Sequence, residues 1–117
     1  MNKILIEGMS FFARHGFYKE EHTIGGRFEV DIELDTVFSD TAKVDDDLSG
    51  TVNYENVYAI IGEEMGIASK LLEHVGNRIL TRLYNELKGI SFIRLKISKL
   101  NPPMGGEIER VAVILEK

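Results

Sequence analysis

The sequence predicts an α+β fold: one antiparallel sheet built in the order strand, strand, helix, helix, strand, strand (ββααββ), with both helices on one face. Three observations carry this reading. Residues Arg27 to Thr36 alternate strictly, with Phe28, Val30, Ile32 and Leu34 on one side and Glu29, Asp31, Glu33 and Asp35 on the other, the period of a half-buried strand. The middle of the chain changes to helical spacing, first at Val57, Ile60 and Ile61, then at Leu72, Val75, Ile79, Leu83 and Leu87, so each segment presents one apolar stripe. Alternation then returns, with Ile93, Leu95 and Ile97 set against Arg94, Lys96 and Ser98.

In chain order, Lys3 to Met9 is apolar and β-branched enough to be the hairpin partner of the alternating strand, which leaves Phe11 to Gly26 as an irregular connection. Asn53 is a fitting N-cap for the first helix, because its side-chain oxygen can accept a free amide of the first turn. Gly62 and Gly66 weaken that helix near its end. Asn101-Pro102-Pro103 and Gly105-Gly106 break the chain before a last strand from Arg110 to Leu115. The polar face of the second strand is acidic and that of the third carries Arg94 and Lys96, so opposite charges can meet across the pair; two solvated faces are an equal alternative. A sheet this short has two open edges, and neighbouring subunits are one means of closing them.

Composition bounds the function. At 117 residues and 44% hydrophobic content, the chain suits a single domain, residues 1–117, with one core. A net charge of -5 argues against a partner that is nucleic acid or an anionic membrane, either of which calls for a basic field. Without cysteine there is no disulfide, thiolate zinc site or thiol nucleophile, and a reducing compartment fits. The opening Met1-Asn2-Lys3-Ile4-Leu5-Ile6-Glu7 turns polar too early for a signal peptide, and no apolar run approaches a membrane span, so the expected location is cytoplasmic.

Four stretches, in order, resemble the dihydroneopterin aldolase family: Phe12-Ala13-Arg14-His15-Gly16 followed by Glu20-Glu21 and Ile24-Gly25; Thr51-Val52-Asn53-Tyr54; Leu71-Leu72-Glu73-His74; and Lys99-Leu100-Asn101-Pro102-Pro103. The likeness spans nearly the whole chain. Each tetrapeptide is weak alone, and their shared order and spacing give the match its force. The resemblance implies the tunnelling fold (T-fold), in which subunits join their sheets into a barrel with the helices outside, as a tetrameric ring that usually pairs into a homo-octamer. It also implies a pterin substrate, in folate biosynthesis, and a retro-aldol cleavage of dihydroneopterin to hydroxymethyl-dihydropterin and glycolaldehyde. No cofactor is implied: the ring imine beside the side chain holds the charge released, so neither metal nor lysine Schiff base is required.

The resemblance assigns roles residue by residue. Glu73 grips the pterin, its two oxygens matching the amino group and adjacent ring N–H; an acidic residue in a helix first turn is the plain alternative. Lys99 assists deprotonation of the substrate hydroxyl, where a solvated strand-end lysine would be the ordinary case. Tyr54 protonates the carbanion-like intermediate from a neighbouring subunit, against a tyrosine that only braces a helix start. Glu21 helps to hold the lysine network, and Val52, Asn53 and Leu72 line the pocket partly through backbone groups. His15, His22 and His74 raise a metal reading, but they are scattered over a loop and a helix without a His-x-His pair, and no metal site is expected. Asp45-Asp46-Asp47 reads as a solvated loop. Two rivals remain. One is the epimerase of dihydroneopterin triphosphate, which needs extra cationic groups for its phosphates; the other is a non-catalytic pterin-binding ring protein, which would keep Glu73 and lose Tyr54 and Lys99.

Overall fold

The computed structural model describes all residues from Met1 to Lys117. Four strands, β1 (Asn2–Ala13), β2 (Gly26–Thr36), β3 (Phe92–Leu100) and β4 (Arg110–Glu116), form one sheet in that order, every neighbouring pair antiparallel. Helices α3 (Tyr54–Met65) and α4 (Leu72–Glu86) occupy the middle of the chain, and two short helices, α1 (Lys19–Ile24) and α2 (Asp40–Lys43), follow β1 and β2. The ββααββ order is therefore borne out, with two short helices added.

The connection after the first strand differs from the sequence expectation. Instead of dissolving at Phe11, β1 runs on to Ala13, with Phe11 opposite Phe28 and Ala13 opposite Gly26, and the connection then contains α1. A bulge hides the continuity from the alternation pattern: the register shifts between Ile6 and Met9, and Gly8 sits at φ 71°, donating its N–H to Asp31 Oδ1 at 2.8 Å. The extra residue resets the pleat so that Ile4, Ile6, Met9 and Phe11 all face the helices.

The core lies between the sheet and α3 with α4. Phe28, Val30, Ile32, Leu34, Ile93, Leu95 and Ile97 from the sheet meet Val57, Ile61, Met65, Val75, Ile79 and Leu83 from the helices, all nearly inaccessible. Asn53 caps α3 as expected, its Oδ1 accepting the Glu55 amide at 3.0 Å, and the helix passes Gly62 to end against Gly66. Gly76 shows why α4 carries a glycine on its buried face: a Cβ there would stand 2.7 Å from Leu115 Cδ1, so only glycine lets the helix approach β4 this closely.

On the opposite face, Asp31 stands across from Lys96 and Glu33 from Arg94, so the register does bring opposite charges together. The ion pairs that form reach the outer strands instead: Lys3 contacts Glu33 and Asp35 at 3.4 and 2.6 Å, and Arg110 contacts Glu29 at 3.4 Å. Asp45 to Asp47 are exposed, as read, and Asp47 caps the following 3-10 turn through the Ser49 amide. No helix is long and apolar enough to cross a membrane.

Candidate active site

Lys99 comes in phase with Ile93, Leu95 and Ile97, so its side chain leaves β3 on the core-facing side, opposite Phe28 on β2 and Val111 on β4. Beside it lies a cavity of about 370 Å³, lined by His15, Glu21, Phe28, Lys99, Leu100 and Asn101 among others. Burial pushes the Lys99 ammonium below its ordinary pKa even though the Glu21 carboxylate is paired with it. Desolvation disfavours the charged form, and a lysine so placed can give and take a proton.

Glu21 reaches Lys99 from α1. Its other oxygen accepts the Tyr18 amide at 3.3 Å, which fixes the carboxylate to its own helix start. Arg14 donates to the carbonyls of His22 and Thr23, and His22 Nε2 meets the Gly16 carbonyl at 2.6 Å, so α1 is tied back onto the end of β1. Gly16 matters by its absent side chain: a Cβ there would collide with the Glu21 carboxyl group. Of the two adjacent glutamates, Glu21 is the one turned toward Lys99, while Glu20 is exposed at the rim.

Within one chain the remaining candidates stand elsewhere. Tyr54 is 61% exposed and, with Val52, borders a separate groove of about 530 Å³ along β1, beside Lys3, Leu5 and Phe38. The Val52 side chain belongs to the core and that of Leu72 packs against it, while the Asn53 side chain is occupied by its cap. Glu73 is exposed in the first turn of α4, as placed from the sequence. The structure thus brings Lys99 to Glu21, brings Tyr54 to Val52, and keeps the two groups apart.

The family follows from two comparisons. The family model described as FolB, dihydroneopterin aldolase, matches residues 4–116. A dihydroneopterin aldolase of Streptococcus pyogenes is 37% identical over 118 residues, covering 100% of this chain and 98% of the relative. The chain belongs to the dihydroneopterin aldolase family. A Bacillus subtilis dihydroneopterin aldolase is 32% identical over 114 residues, covering 97% of this chain and 94% of its own. The crystal structure of Escherichia coli dihydroneopterin aldolase in complex with neopterin superposes with a TM-score of 0.89 at 24% identity, over 100% of this chain and 99% of that one, which shows the family's fold.

Sequence reasoning passed over Ser69 and Arg78, and it quoted His15 and Gly16 only as part of a motif, with His15 weighed and rejected as a metal ligand. His15 is 1% exposed, its ring edge-on to Phe28 at 5.2 Å, and its Nδ1 accepts the Ser69 amide at 3.2 Å. Burial, reinforced by the charges of Arg78, His22 and Lys99, lowers its pKa to about 4. Arg78 binds Glu64 Oε1, Glu64 O and Ile67 O, each at 2.9 Å, and also the Ser69 hydroxyl, fastening the loop between α3 and α4. The three histidines do different things, and no group of three His, Asp or Glu side chains is arranged to hold a metal ion. A signal for His15 existed: it continues the Met9, Phe11, Ala13 alternation beyond the bulge.

Proposed function

We propose that this chain cleaves dihydroneopterin by a retro-aldol reaction to hydroxymethyl-dihydropterin and glycolaldehyde, as a step of folate biosynthesis in the cytoplasm. The observation that carries the reading is the desolvated Lys99 paired with Glu21 at the mouth of a cavity, in a chain whose relatives bear the aldolase name over their whole length.

Glu73 anchors the pterin edge through two charge-assisted hydrogen bonds. Lys99, with Glu21 holding it in place, takes the proton from the side-chain hydroxyl as the carbon–carbon bond breaks; the bond electrons pass into the pterin imine and glycolaldehyde leaves. Tyr54 returns a proton to the carbon that lost its partner, which completes hydroxymethyl-dihydropterin. Val52, Asn53 and Leu72 bound the pocket through backbone groups. No step needs a metal or a covalent enzyme intermediate.

The separation of Tyr54 from Lys99 supports a site shared between subunits of a homo-oligomeric ring, four chains forming a barrel and two rings an octamer. The shape agrees: the radius of gyration is 15.8 Å and the extents are 53 × 24 × 21 Å, against about 13 Å expected for a compact chain of this length. Both sheet edges are unpaired, and Leu5 and Ile114 are 54% and 47% exposed on the edge strands. The test is glycolaldehyde release from dihydroneopterin by the purified protein. Stoichiometric release with turnover is expected, whereas neopterin binding without any release would leave a pterin-binding ring protein in its place.

A further inference from the structure

The proposed reaction needs Glu73 and the Glu21–Lys99 pair at a fixed separation, yet they stand on different elements: Glu73 opens α4, Glu21 belongs to α1 and Lys99 to β3. Two hydrogen bonds span this gap. Gly16 N–H donates to the Ser69 carbonyl at 2.9 Å, and the Ser69 N–H donates to His15 Nδ1 at 3.2 Å. Ser69 lies in the loop just before Leu72 and Glu73, and its hydroxyl is held in turn by Arg78. His15 and Gly16 lead through Phe17 and the N-cap Tyr18 into α1.

We propose that His15 is a positioning residue: its Nδ1, as the acceptor for the Ser69 amide, sets the start of α4, and with it Glu73, against the Glu21–Lys99 pair. Several features of the site serve this one bond. The ring is packed edge-on to Phe28, the residue opposite Lys99, so the same side chain that floors the cavity fixes the plane of the imidazole. An uncharged ring is required, because imidazolium has no acceptor, and burial beside Arg78, His22 and Lys99 keeps it uncharged. Nε2–H then faces the Met65 carbonyl at the end of α3 without reaching a full hydrogen bond, so Nδ1 makes the one bond that defines the ring's place. Removing the acceptor leaves the buried Ser69 amide unpaired and frees the α4 start to drift from α1.

The ligand part of this inference rests on the aldolase reading; the bridge itself does not. Its test compares full-length His15→Phe, which fills the space without an acceptor, with His15→Asn, whose side-chain oxygen falls near the place of Nδ1. Amide exchange at Ser69 is expected to quicken at least about tenfold in His15→Phe and to stay near wild type in His15→Asn. Affinity for neopterin and the single-turnover cleavage rate should follow the same order, about tenfold lower for Phe and largely restored for Asn. Ile93→Val, a core change at the end of β3 away from Lys99, should lower thermal stability and leave both ligand readouts unchanged. Should His15→Phe fail to fold, His15→Gln, which displaces the acceptor toward the Nε2 position, takes its place. Wild-type protection of Ser69 in the acceptor-free variant, or an Asn variant no better than it, would overturn the proposal. A wild type that binds no neopterin would sink the aldolase reading, with the exchange comparison still deciding the bridge.

Discussion

Lys99 and Tyr54 are the two proton-handling residues of the proposed reaction, and the fold treats them in opposite ways. Lys99 leaves the core face of a central strand, beside Glu21 and above Phe28, with its ammonium disfavoured by burial. Tyr54 opens a helix at the surface, 61% exposed and next to a groove on the edge strand. The first is preorganised by its own chain, since α1 is tied to β1 and a glycine makes room for the carboxylate. The second has its backbone fixed by the Asn53 cap and no partner for its hydroxyl. On the proposed reading, proton abstraction, which needs a tuned pKa, is built within one chain, and proton return, which needs only a well-placed phenol, is left to assembly.

The sharpest way to probe this contrast is Lys99→Ala. In the proposed role the lysine moves a proton and does not grip the ring, so the bond-breaking rate should fall about 10²-fold or more while neopterin affinity stays near wild type. Single-turnover cleavage and calorimetry separate the two. Loss of affinity with an intact rate would erase the distinction between the pair and the anchor.

A smaller effect is expected at Gly16→Ala. The added methyl group competes for the space of the Glu21 carboxyl, so the fold survives but the carboxylate is displaced from Lys99. We expect about a tenfold loss of cleavage rate, the scale of one weakened charge-assisted hydrogen bond, with a melting temperature close to wild type. An unchanged rate would mean that Lys99 needs no partner.

Smaller still is a pH effect on stability. His15 has its pKa lowered to about 4 in the fold from about 6.5 when unfolded. Between those values the unfolded chain binds the extra proton, so stability falls as pH drops from 6.5 toward 4, by about 1–3 kcal/mol after allowance for relaxation. His15→Asn should flatten this part of the profile in denaturant titrations. A profile identical to wild type would show that His15 is charged in both states or neutral in both.

These contrasts also mark what the sequence could disclose. The second and third strands and both long helices were legible from their apolar periods, and the last strand from the proline and glycine breaks that set it off. The end of β1 was not: the bulge at Gly8 shifts the alternation by one residue, and a local pattern cannot reveal a register set by the partner strand. Glu21 was named through the resemblance, and what lets it reach Lys99, a clear space over Gly16, exists only in three dimensions. Lys99 could have been read further, since it continues the apolar phase of Ile93, Leu95 and Ile97 and so belongs on the buried face. The Arg78–Ser69–His15 bridge joins residues far apart in sequence and leaves no periodic trace. Tyr54 and Glu73 are surface positions in the chain, where folding constraints are weakest and pattern says least.

The central claim, that one chain supplies Lys99 and Glu73 while its neighbour supplies Tyr54, is tested most directly by hybrid rings. Tyr54→Ala and Glu73→Ala chains, each nearly inactive alone, are dissociated, mixed and reassembled, with mixing verified by mass spectrometry, and glycolaldehyde release is measured. The account predicts recovery near the statistical fraction of interfaces in which an intact tyrosine meets an intact glutamate and lysine. Verified hybrid rings with no activity above the two parents would contradict a shared site.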